Sequence, residues 1–164
     1  MGFAKAVRAC LTKYVDFNGR GRRSEYWWFV LFALLVGIAT AIVDRVIAPG
    51  YVAMHGRGPV SMLASLALLL PSLAVSVRRL HDIDRTGWWI PIFYVAVILV
   101  AFFAIGAAFT GHAATALIML VIILALCIWL IVWFATKGTA GPNRFGPDPL
   151  ANDATPTPSP APAV

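Results

Sequence analysis

Ten consecutive positions gather three arginines, two aspartates and a histidine: Arg78-Arg79-Leu80-His81-Asp82-Ile83-Asp84-Arg85-Thr86-Gly87. Each residue type suggests a chemistry. Guanidinium forks match phosphate oxygens bidentately, and a histidine beside a carboxylate supplies the parts of an acid–base pair. His81, Asp82 and Asp84 are also donor types found around metal ions. Two other stretches share this character. One is Arg20, Arg22, Arg23 and Glu25; the other is Gly141 to Pro149, with Asn143, Arg144 and Asp148.

Spacing decides between these chemistries. Adjacent residues on a helix point about 100° apart, so His81 and Asp82 do not face each other as a base and its orienter would. A metal would need a further ligand, and His55 and His112 fall in other loops. The expected catalytic, metal and cofactor sets are therefore empty, and the balance points away from an enzyme. What is left is a polar cluster of Arg20, Arg22, Arg23, Glu25, Arg78, Arg79, His81, Asp82, Arg85, Asn143 and Arg144. It is expected to be either a seat for a phosphate or lipid headgroup or a structural network. Arginines needed only for anchoring have no use for Glu25, Asp82 or Asp84 among them. The alternative is a membrane enzyme or carrier for a phosphate- or lipid-type substrate, with His81 and Asp82 reactive.

The elements that position these clusters are apolar. The chain has 164 residues, 60% hydrophobic and 12% charged, against roughly 25% charged in soluble domains. The charge is missing from four windows, 27–43, 60–77, 88–109 and 113–134. A bilayer core of about 30 Å takes roughly 17–25 helical residues, so each window predicts a membrane span. Before them, Phe3, Val7, Cys10, Leu11 and Tyr14 recur at helical spacing and predict a short amphipathic helix lying in the headgroup layer. Ser24 is the expected N-cap of the first span, and Pro71 a point of bending in the second. Thr110-Gly111-His112 reads as a tight connection between the last two. The stretch 150–164, rich in Pro and Ala, reads as a disordered tail, leaving 1–149 as one membrane domain. Cys10 and Cys127 read as reduced packing residues.

The basic residues orient the spans. With four spans, the N-terminal segment (six Lys and Arg), the central hinge (three) and the C-terminal segment (two) share one side; Arg45 and Arg57 lie on the other. The side with more Lys and Arg is expected to be cytoplasmic, with both termini. The net charge of +6 thus suits anionic lipid rather than nucleic acid. Expected partners are membrane lipids of the anionic kind, a second copy of the chain or another membrane protein. None of the four windows holds Asp, Glu, Lys, Arg or His, which disfavours proton-coupled transport.

Three blocks in order carry a family resemblance. They are Phe17-x-Gly19-Arg20-x-Arg22-Arg23-x-Glu25-Tyr26-Trp27, then Arg78-Arg79-Leu80-His81-Asp82 with Arg85-x-Gly87-Trp88-Trp89, then Gly141-x-Asn143-Arg144-x-Gly146-Pro147-Asp148-Pro149. Together the blocks resemble the YhaH-like bacterial inner-membrane family, domain of unknown function 805. The resemblance implies a helical bacterial inner-membrane protein and brings no activity with it. Asp84 stands where the family usually has a small residue, often Gly, which puts a tight turn there in doubt; Phe145 stands where Tyr is common. The reading as a whole is an all-α bundle of four transmembrane helices preceded by a short amphipathic helix.

Overall fold

The computed structural model describes residues 1–151. Six helices follow one another: α1 (Phe3–Thr12), α2 (Arg23–Ile47), α3 (Pro49–His55), α4 (Pro59–Asp82), α5 (Trp89–Phe109) and α6 (Ala113–Ala135). Helices α2, α4, α5 and α6 are long and apolar enough to cross a membrane, as the four apolar windows predict. At 1.5 Å per residue the 24-residue α4 is about 36 Å long, a turn more than the hydrocarbon core requires. That surplus carries the charged residues beyond the apolar window. The tail expected over 150–164 lies, past Ala151, outside the described residues.

Several local expectations change. Helix α2 begins at Arg23, with Arg22 in extended backbone as its N-cap and no side-chain cap bond. Ser24 is thus inside the first turn and not the cap. Tertiary bonds fix this end instead, since the Gly21 N–H donates to the Arg78 carbonyl at 2.8 Å. Pro71, the expected point of bending, lies within α4 and is buried. Between α2 and α4 the loop folds into the short α3, opened by Pro49 at its first position, where a missing N–H does no harm. The hinge does make a tight turn, and Asp84 is what makes it. Its φ is +57°, and Asp84 N–H donates to His81 O while Arg85 N–H donates to Leu80 O. This is the left-handed helix ending usually given to Gly, which Asp also tolerates.

Two antiparallel pairs build the bundle. Helices α2 and α4 pack together with α1 laid across them, and α5 packs on α6. Cys10, Phe29 and Val75 form the core where α1, α2 and α4 meet. Leu80, Ile90, Phe93, Trp133 and Phe134 form a second core joining the end of α4, the start of α5 and the end of α6. Both cores lie toward the charged end. At the far end the outward apolar residues, such as Leu63, Leu66, Phe102 and Phe109, are exposed on the chain, as lipid-facing residues are.

Candidate functional site

At the charged end the chain segments before α2 and after α6 cross over the end of α4, and buried arginines hold them there. Arg78 and Arg79 are fully buried, and Arg20, Glu25 and Asp82 nearly so. Their neighbouring positions on α4 send the two guanidiniums opposite ways. Arg78 turns toward α1 and α2, where it pairs with Glu25 at 3.1 Å and donates to the carbonyls of Lys13 and Asp16. Arg79 turns toward α6, donating to Phe134 O at 3.0 Å and to Thr136 O, and pairing with Asp82 at 2.6 Å. Helical spacing alone suggests Arg78 with Asp82 at i,i+4; the observed pair is Arg79 with Asp82, because Glu25 claims Arg78.

Asp82 is the centre of the cluster. Its carboxylate also takes Arg20 at 3.0 Å, and Arg20 further donates to Gly141 O and Thr139 O, each at 2.6 Å. The Thr139 N–H donates back to the Asp82 carbonyl at 2.9 Å. Gly138 passes so close that a Cβ there would lie 2.1 Å from the Asp82 carboxylate, so only glycine fits. Burying charges costs several kcal/mol per ion unless each is paired and hydrogen-bonded. Here nearly all are satisfied; among the described residues Arg78 Nε is the one buried side-chain polar atom without a partner.

The remaining sequence candidates stand around this core. His81 is half-buried, with Nδ1 3.1 Å from Gly19 O and its ring stacked on Phe145 at 3.9 Å. Among the described residues it makes no bond to the Asp82 carboxylate, which is taken up by arginines. Asn143 donates to the His81 carbonyl and to Thr139 Oγ1. Arg85 lies 4.6 Å over the Trp133 ring, a cation–π contact. Arg144 pairs with Asp84 on the surface at 3.0 Å. Cys10 sits under Glu25, its thiol donating to the carboxylate across 3.7 Å. Burial and then the Glu25 charge push that thiol up to about 12, so it stays protonated and unreactive.

Arg22 and Arg23 differ from the buried arginines. Arg22 is half-buried and Arg23 exposed, and both line an open cavity of about 520 Å³ with Arg20, Lys137, Asp82 and Asp148. The acids on this cavity are engaged: Asp82 by Arg20 and Arg79, and Asp148 by the backbone N–H groups of Leu150 and Gly141. Those N–H bonds hold the Asp148 carboxyl below its ordinary value of 3.8. Among the described residues Arg23 donates only a long 3.4 Å bond to Ala135 O, and the Lys137 ammonium has no ion pair. Among the described residues that line it, four basic side chains stand against two acidic ones.

Reasoning from the sequence put Lys137 and Asp148 on this side but not in the expected polar cluster; it missed the part played by Gly138 and Thr139, and it missed Asp44 altogether. Asp44 lies one residue past the first apolar window and is buried. Its carboxylate accepts the N–H groups of Val60 and Ser61 and the Ser61 hydroxyl at 2.5–2.9 Å. The signal was present in Arg57-Gly58-Pro59, a helix start with no Ser, Thr, Asp or Asn to cap it; the cap had to come from elsewhere.

Residues 14–147 match the profile of a family described as protein of unknown function, DUF805. Inner membrane protein YhaI of Escherichia coli is 36% identical over 139 residues, covering 85% of this chain and 90% of that protein. Inner membrane protein YhaH of the same organism is 33% identical over 141 residues, covering 85% and 91%. The uncharacterized protein YiiR, also from Escherichia coli, is 33% identical over 146 residues, covering 81% and 85%. No solved structure matches.

Proposed function

The chain belongs to the DUF805 family and is a multi-pass protein of the bacterial inner membrane, and from that premise we propose that it is non-enzymatic and holds the phosphate of an anionic lipid in the cationic cavity on its cytoplasmic face. The observation that carries this reading is the pair Arg23 and Lys137, which line a cavity of about 520 Å³ while the carboxylates beside them are engaged elsewhere. A cavity of that size falls in the usual range for ligand sites, about 300–1,000 Å³. Arg23 offers a guanidinium fork and Lys137 a point charge, the two common ways of holding phosphate. In this reading the buried arginines build the cavity and leave the binding to others. Arg20 and Arg79 fasten the segment after α6 through its carbonyls, and Lys137 on that segment lines the same cavity as Arg23. The cytoplasmic placement is supported by the distribution of Lys and Arg, and the leaflet there is rich in anionic lipid.

Native mass spectrometry from nanodiscs containing phosphatidylglycerol tests the reading. Wild-type protein is expected to retain phosphatidylglycerol, and the double variant Arg23→Gln/Lys137→Gln to lose most of it, since each basic residue near such a surface contributes about 1 kcal/mol. Arg8→Gln, which removes an exposed cation away from the cavity, should retain lipid as the wild type does. Equal retention by wild type and the Arg23/Lys137 variant would overturn the proposal. Arg78 and Arg79 are unsuitable for this test because their loss would disturb the fold.

A further inference from the structure

We infer that the ligand of this site carries two phosphate groups, one in the cavity beside Arg23 and Lys137 and one in a second cationic cavity next to it. This rests on the phosphate-binding reading above and names the ligand more closely. The second cavity measures about 310 Å³ and is lined by Lys5, Lys13 and Glu25, together with Arg20, Arg22 and Pro149. Those last three residues also line the first cavity, so the two are neighbours with a common wall.

The second cavity has the same electrostatic design as the first. Lys5 lies on α1 and Lys13 is its C-cap residue, eight positions and a little over two turns apart, so α1 delivers both to the same cavity. Neither ammonium has an ion pair among the described residues. The one carboxylate among the described residues that line it, Glu25, is held by Arg78 and the Cys10 thiol. Among the described residues each cavity therefore has two cations without carboxylate partners, on either side of a wall formed by Arg20, Arg22 and Pro149. A ligand with one phosphate leaves one pair of cations unused. A ligand that links two phosphates makes the second contact intramolecular, and such linkage strengthens binding by about 10²–10⁴ when the linker spans both sites. Two sources have this chemistry: a phospholipid with two phosphodiesters joined through glycerol, and an isoprenoid diphosphate with adjacent phosphates.

The experiment uses the full chain in nanodiscs with three probes at equal total phosphate: phosphatidylglycerol, cardiolipin, and farnesyl diphosphate added to a phosphatidylglycerol disc. Retention is read by native mass spectrometry for the wild type and for Lys5→Gln/Lys13→Gln. Both lysines are exposed, so an unchanged apparent Tm is expected for the variant. One two-phosphate probe should be retained at least about tenfold better than phosphatidylglycerol, and the double variant should reduce it to the phosphatidylglycerol level. Preference for cardiolipin identifies spaced phosphodiesters, and preference for farnesyl diphosphate identifies adjacent phosphates; either supports the inference. Equal retention of all three probes, or a preference that survives in the double variant, overturns the inference and leaves the single-phosphate reading standing. If the wild type retains no anionic probe, both readings fall.

Discussion

At the scale of single residues, burial separates arginines that hold the protein together from those available to a ligand. Asp82 shows how far apart the two roles are. It answers Arg20 at 3.0 Å and Arg79 at 2.6 Å, with all three side chains almost wholly buried. Asp82→Asn keeps the shape and removes the only carboxylate between two guanidiniums, and breaking a buried pair in this way costs about 3–5 kcal/mol. For a chain of this size that should lower the apparent Tm by roughly 6–20 °C, read by tryptophan fluorescence in detergent. Arg144→Gln removes a pair whose side chains are 57% and 48% exposed and should change it little, since exposed pairs are worth about 0–1 kcal/mol. Equal melting of the two variants would refute this division. The sequence showed that arginines and acids cluster, and it showed the hinge. It could not show the pairing. Arg78 and Arg79 are adjacent in the chain, yet one belongs to Glu25 and the other to Asp82, a choice made by which helices lie on either side of α4.

At the scale of elements, α2 and α4 are fastened at both ends by residues of opposite kinds. At the charged end Arg78 on α4 reaches Glu25 on α2; at the far end Asp44 on α2 caps the first turn of α4. A carboxylate suits that place because free N–H groups and the positive end of the helix dipole meet there. A Cβ on Gly58 would come within 2.1 Å of the Asp44 carboxyl, so the loop approaches as closely as it can. Asp44→Ala should cost about 0.5–2 kcal/mol as a lost cap and should act locally. Hydrogen–deuterium exchange is expected to rise over α3 and the first turns of α4 and to stay unchanged in α5 and α6, which have no part in the clip. A uniform rise across all helices would show that the bond is not local. The apolar windows located the four spans because lipid solvates them and composition alone reports that. The clip and the short α3 left no such trace, since each depends on contacts between segments distant in the chain.

At the scale of the whole molecule, one question is which face of the membrane receives the charged end, and the buried network sharpens it. An even number of spans places both termini on one side, and Arg20 bonding to Thr139 and Gly141 joins the two ends physically. The charge bias that should orient them cannot be counted from the sequence alone once the chain is folded, because Arg20, Arg78 and Arg79 are neutralised inside. Seven basic residues at this end remain exposed (Lys5, Arg8, Lys13, Arg23, Arg85, Lys137 and Arg144), against Arg45 and Arg57 at the other. At about 1 kcal/mol for each basic residue near an anionic leaflet, the excess of exposed cations still favours the same orientation by several kcal/mol, and during insertion all the arginines count. A fluorescent protein fused after Pro149 should therefore be bright in cells, and alkaline phosphatase at the same place inactive. Arg57→Cys, in the loop before α4, should react with a membrane-impermeant maleimide once that reagent reaches the periplasm, whereas Arg8→Cys should react only after the inner membrane is opened. Active phosphatase after Pro149, or labelling of position 8 in sealed cells, would place the cationic cavities on the outer face and remove the cytoplasmic leaflet as the source of their ligand.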